Sequence, residues 1–93
     1  MIKEEENCYS LCFTKKSGDS FFLPYSWLVR CQFSKGQIYI EYTSGNVLVS
    51  GNGLVKIYQC LQTKAVREIV EDLDKSESED NLFIDEITWI SEG

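Results

Sequence analysis

WLVRCQFSKGQIYIEYTSGNVLVSGNGLVKIYQCL, residues 27–61, is the stretch whose reading decides the fold. Through most of it, apolar side chains recur at every second position, the period of a strand with one buried face. Ile38, Ile40 and Tyr42 alternate with Tyr39, Glu41 and Thr43. The turn sequences Ser34-Lys35-Gly36-Gln37 and Ser44-Gly45-Asn46 divide the run into strands at about Val29–Phe33, Ile38–Thr43 and Val47–Ser50, which predicts a three-stranded antiparallel meander. At Gly51-Asn52-Gly53 the period changes. Leu54, Ile57, Tyr58 and Leu61 fall at i, i+3, i+4 and i+7, one stripe of a helix over about 53–63. Asn52 is placed to cap its start and Lys64 to face the negative end of its dipole. Such a helix must bury its stripe against the meander.

Working outward, Cys8 to Lys15 reads as a strand with Tyr9, Leu11 and Phe13 on one face. Lys16-Ser17-Gly18-Asp19 supplies turn chemistry, Phe21-Phe22-Leu23 returns, and Pro24, which has no N–H for a ladder, ends the hairpin. A short turn then runs through Leu28. On the other side, Val66, Ile69, Val70 and Leu73 fit either an extension of the helix or a new strand, and the β-branched residues favour a stop and a strand. Residues 72–81 form an acidic loop. Leu82–Ile90 is the last strand, with Phe83, Ile87 and Trp89 on one face and Leu82, Ile84, Thr88 and Ile90 on the other. Residues 1–7 are charged and expected to fray. The expectation is a single small α+β domain over residues 1–93: a twisted, partly closed antiparallel sheet of about five to seven strands with one main helix packed on it.

The net charge of −6 is unevenly distributed. Residues 1–7 carry −2, residues 8–70 carry +4 and residues 71–93 carry −8. The basic middle comes from Lys15, Lys16, Arg30, Lys35, Lys56, Lys64 and Arg67. Acidic ends therefore bracket a mildly basic body, either as solvated faces or as a cover over a basic surface. The overall acidity repels phosphates at long range and argues against nucleic acid as the principal ligand. No apolar run reaches the ~20 residues of a membrane span, and the opening Met-Ile-Lys-Glu-Glu-Glu has the wrong charge for a secretory leader. The chain reads as cytoplasmic.

Cys8, Cys12, Cys31 and Cys60 lack the paired short spacings of a four-thiolate zinc site and there is no His to complete one. In a strand, Cys8 and Cys12 would stand about 13 Å apart, too far to share a bond or a tetrahedral metal. Free thiols are expected, with no metal and no cofactor. The same lack of His removes Ser-His and Cys-His nucleophile pairs and the neutral-pH general base. A non-enzymatic protein is the expectation.

Three constellations bear on binding. Asp72, Asp74, Ser76, Ser78 and Asp80 alternate like the ligands of a calcium loop, but Glu77 stands where that loop needs Gly and Phe83 where it needs a closing carboxylate. Ser76 and Ser78 are also candidate phosphoacceptors among carboxylates. Gly51, Asn52 and Gly53 with Lys56 one turn into the helix resemble half of an anion cradle. Tyr25, Trp27 and Tyr39 exceed what one small core can hold beside its other rings, so an exposed aromatic surface is expected among them. These features point to a protein-interaction or self-association module, working through an unpaired strand edge or the Tyr25/Trp27 surface. An anion- or nucleic-acid-binding barrel using Gly51, Asn52, Gly53, Lys56 and the basic body is the alternative, and a small enzyme or enzyme regulator a more distant one.

Overall fold

A computed structural model describes residues 1–73 and 82–91. The central meander forms as its alternation predicts. Strands β4 (Leu28–Ser34), β5 (Gln37–Tyr42) and β6 (Gly45–Asn52) pair antiparallel in that order. Ile38, Ile40, Tyr42, Val47 and Val49 are all buried on one face, while Arg30, Gln32, Tyr39, Glu41 and Leu48 share the other. The final strand, β8 (Phe83–Ser91), pairs antiparallel with β6 and completes a four-stranded sheet.

The remaining strands form a second sheet, so the expected single sheet of five to seven strands is replaced by two sheets of four. Here β2 (Ser10–Thr14) and β3 (Ser20–Pro24) make the anticipated hairpin. Residues 66–70 are strand rather than helix: β7 (Val66–Val70) lies parallel to β2, with Phe13 opposite Ile69. That parallel pair departs from an all-antiparallel reading, and it returns the chain to its starting hairpin after the whole meander and helix. The N-terminal residues do not fray as expected. Ile2–Glu4 forms β1, antiparallel to β7, with Ile2 opposite Ile69 and packed against the core.

The helix α1 spans Val55–Leu61, shorter than the 53–63 expected. Leu54, Ile57 and Leu61 are buried as the stripe requires, each contributing about 1.5–3 kcal/mol of apolar burial. The helix lies between β4 of one sheet and β7 of the other, closing the gap between the two. Its start differs from expectation: the capping position is Leu54, with no side-chain cap bond, so Asn52 does not cap it. Lys64 lies beyond the last turn, at φ 56° in the left-handed region, rather than on the dipole. One cluster of buried residues joins both sheets and the helix, with Leu11, Phe13, Ile40, Ile57, Ile69 and Ile87 fully buried within it.

Three side chains sit differently from their periodicity. Tyr9 precedes β2, as does Cys8, and is 87% exposed instead of sharing the face of Leu11 and Phe13. In β8 the pairing slips between Ser50 and Gly51, so that Ser50 faces Glu86 and Gly51 faces Ile84, leaving Asp85 as the extra residue of a bulge. The bulge puts Ile84 and Ile87, which strict alternation separates, on the same buried face. Asp72, read as the start of a solvated loop, is buried beside Glu71. Most of that acidic loop, with the calcium-like positions from Asp74 onward and with Ser76 and Ser78, lies outside the described residues.

Candidate functional site

Two four-stranded sheets present four edges, and an exposed edge is a row of unpaired N–H and C=O groups that proteins normally blunt. Three of the four carry an evident device. β1 is three residues long and includes Lys3 and Glu4. β3 is five residues long and ends in Pro24, which cannot donate to a neighbouring strand. Along β8, the N–H of Ile84 donates to Asp72 Oδ2 at 2.9 Å and the N–H of Ile87 to Glu71 Oε2 at 2.6 Å. Two side-chain carboxylates thus occupy donors along the first half of that edge.

The fourth edge, β4, is seven residues long, free of Pro, and contains no fully buried residue. Its first part is bulged: Leu28 faces Tyr42 and Arg30 faces Glu41, leaving Val29 as the extra residue, 57% exposed. From Arg30 to Ser34 the register is regular, Arg30 to Glu41 through Ser34 to Gln37. Among the described residues no strand lies on its outer side.

Beside this edge runs a groove of about 350 Å³ between β4 and α1. β4 contributes Leu28, Val29, Arg30 and Cys31, and the end of α1 with the following turn contributes Tyr58, Leu61, Gln62 and Lys64. Tyr25 also lines it, held rigid because its hydroxyl donates to the Val66 carbonyl oxygen. Further along, the Phe33 and Tyr58 rings meet with centroids 6.0 Å apart. Burial pushes the Cys31 thiol up to about 11. Burial also raises the Tyr25 and Tyr42 hydroxyls far above their ordinary range, with smaller contributions from neighbouring ionisable groups. With its pKa raised this far, the Cys31 thiol is mostly protonated at neutral pH. The groove has an apolar floor, and among the described residues its charge comes from Arg30 and Lys64.

No protein-family model, curated protein or solved structure matches this chain.

The aromatic residues singled out from the sequence are dispersed. Tyr25 is buried, only 6% exposed, and belongs to the floor of the groove rather than to a solvent-facing surface. Trp27 is exposed in the 3₁₀ turn Tyr25–Trp27 that leads into β4. Tyr39 is half-buried on the outer face of the β4–β5–β6–β8 sheet, in a shallow hollow of about 420 Å³ that it shares with Arg30, Gln32, Ser34, Gln37 and Leu48. Tyr25 and Tyr39 thus lie on opposite faces of the sheet that β4 borders.

Of the anion-cradle residues, Gly51 and Asn52 line a hollow of about 270 Å³ whose other liners are Phe83 and Asp85, and a carboxylate there repels an anion. Lys56 is directed to Glu4 Oε2 at 3.9 Å. Two other cations of the basic body also meet carboxylates, Arg67 with Glu5 at 3.9 Å and Arg30 with Glu41 at 3.7 Å, as does Lys3 of the N-terminal strand with Glu68 at 3.2 Å. Two N-terminal glutamates, Glu4 and Glu5, thus lie against cations of the basic middle. Among the described residues there is no group of three or more Cys, Asp or Glu side chains arranged to hold a metal, and no helix is long and apolar enough to cross a membrane.

Sequence reasoning missed the groove because it depends on which strand ends up at an edge. One local indication was present. Leu28 is apolar but out of phase with the alternation Val29, Cys31, Phe33, as at a bulged strand start.

Proposed function

We propose that this protein is a non-enzymatic interaction module that accepts an extended segment of a partner protein as an additional strand on β4, alongside the groove against α1. One observation carries this reading: from Arg30 to Ser34 the β4 edge is regular, free of Pro and of side-chain caps, and faces α1 across a groove, while β1 and β3 are shortened or end in Pro and the first half of β8 is occupied by carboxylates. Main-chain hydrogen bonds along such an edge supply affinity, and a groove beside it selects alternate side chains of the added strand. The Cys31 thiol and the Tyr25 hydroxyl, both raised by burial, suit a place beneath a ligand. The polyanion-binding alternative has less support, because two of the cations it would use, Lys56 and Arg67, already lie against the N-terminal glutamates Glu4 and Glu5.

Selection of short peptides from a random displayed library against the folded chain tests the proposal, with the selected peptides mapped by amide NMR. Perturbation confined to Arg30–Ser34 and to the Tyr58–Lys64 side of the groove is the expected result. Peptides that consistently map elsewhere, or a library that yields none, overturn it. A proline placed in turn at Cys31 and at Gln32 serves as control: adjacent residues of a strand point their N–H groups in opposite directions, so one of the two blocks addition without breaking the β4–β5 ladder.

A further inference from the structure

The charge around the β4 groove specifies what kind of strand fits it. Arg30 stands on the rim, shared between the groove and the hollow on the outer face, with its side chain 65% exposed and Glu41 no closer than 3.7 Å. Lys64 is held at the other side by the turn after α1, where its own N–H donates to the Leu61 carbonyl, and it is exposed. Among the described residues it makes no ion pair. Among the described residues no carboxylate lines the groove. Two cations thus flank an apolar floor of Leu28, Tyr58 and Leu61 in a protein whose net charge is −6.

We infer that the partner strand alternates apolar and acidic residues, seating apolar side chains over Leu28, Tyr58 and Leu61 and carboxylates beside Arg30 on the outer face, with Lys64 adding positive potential from the far side of the groove. This inference rests on the strand-addition reading above. Alternation is required because successive side chains of an added strand face opposite sides of the sheet. The residues facing α1 meet the apolar floor, and the intervening residues share the outer face with Arg30. A second copy of this chain is a poor occupant: pairing β4 with β4 places two Arg30 and two Lys64 side chains along one seam, and like charges across an interface disfavour association.

The test titrates the full chain with capped octapeptides in which Val alternates with Glu, with Gln or with Lys, followed by amide NMR at low salt, about 50 mM, and at high salt, about 500 mM. The Glu peptide is expected to bind at least about tenfold more tightly than the Gln peptide at low salt, with a smaller ratio at high salt and no saturable binding of the Lys peptide. In the Arg30→Gln/Lys64→Gln double variant the ratio falls to about one, and Arg30→Glu/Lys64→Glu reverses the preference toward Lys. Both pairs of substitutions are at exposed positions, and unchanged amide dispersion verifies the fold. Equal binding of the Glu and Gln peptides with perturbation of Arg30–Ser34 overturns the acidic preference and leaves strand addition standing. If none of the peptides perturbs Arg30–Ser34, both the preference and the strand-addition reading fall.

Discussion

Glu71 accepts the backbone N–H of Ile87 at 2.6 Å through Oε2 and the backbone N–H of Lys16 at 2.7 Å through Oε1, so one buried carboxylate joins the β2–β3 turn to the edge of the opposite sheet. Its neighbour Asp72 repeats the arrangement. It accepts from Ile84 and from the Met1 amine, while its own N–H donates to the Ile84 carbonyl oxygen. The chain therefore leaves one sheet and meets the other within two residues, with each carboxylate satisfying donors that a solvent-exposed edge would leave open.

Glu71→Gln tests this fastening. The amide retains one acceptor oxygen but directs an NH₂ group at a backbone donor, leaving a buried N–H unsatisfied at about 1–3 kcal/mol. At roughly 4–8 °C per kcal/mol for a domain of this size, thermal unfolding should fall by about 5–20 °C. Glu71→Ala loses both acceptors and should also increase concentration-dependent aggregation by opening the β8 edge. A change below about 2 °C in calorimetry would show that the contact contributes little.

On the outer face of the other sheet, Thr14 Oγ1 donates to Glu68 Oε2 and Lys3 lies 3.2 Å from Oε1. The Thr14 hydrogen bond, aided by Lys3 and Arg67 and opposed by partial burial, holds the Glu68 carboxyl below its ordinary value of 4.5. A folded value below the unfolded one stabilises the protein above the unfolded value, and that contribution is lost as pH falls through the folded value. Thr14→Val should therefore raise the Glu68 titration midpoint, measured by carboxyl-carbon NMR, and reduce the difference in stability between pH 7 and pH 3. An unshifted midpoint would remove the hydroxyl as the cause.

At pH 8 a thiol held near 11 is about one part in a thousand thiolate. Cys31 should consequently alkylate far more slowly in the folded protein than in denaturant, as read by mass spectrometry of iodoacetamide-treated samples. Because Cys31 also lines the β4 groove, a bound strand should slow it further while leaving Cys12, on the outer face of β2, unaffected. Equal rates at Cys31 with and without a saturating peptide would place the ligand elsewhere.

The parts of the fold legible in the residues are those fixed by local period. Ile38, Ile40 and Tyr42 face the core because alternation leaves them no other choice, and Leu54, Ile57 and Leu61 do so because a helical stripe has one buried side. What was not legible depends on contacts far apart in the chain. Lys3 and Glu4 look like a solvated end until β7 is there to pair with them, and Glu71 looks solvated until two backbone donors surround it. Tyr25 resembles an exposed aromatic until the Val66 carbonyl takes its hydroxyl. The candidate site was half legible: Val29–Phe33 reads as a strand, but its position at the border of a sheet follows from β8 pairing with β6 on the opposite side.

The bulge at Asp85 sets the register on which the β8 edge depends. A Cβ added to Gly51 would overlap the carbonyl group of Phe83 on the facing strand, leaving no space for a side chain where the pairing slips. Gly51→Ala must therefore push β8 away or remove the bulge. Removing it would turn either Ile84 or Ile87 outward, since a one-residue change of register reverses the faces of a strand. The expected loss is about 2 kcal/mol or more, with faster hydrogen exchange at the Ile84 and Ile87 amides as Asp72 and Glu71 lose their donors. Gly18, at φ 95° with nothing within 4 Å of an added Cβ, provides the comparison. Its replacement by Ala carries only the conformational cost, about 1 kcal/mol, and should leave exchange in β8 unchanged. If Gly51→Ala proves no more damaging than Gly18→Ala, close approach of the two strands does not determine the register.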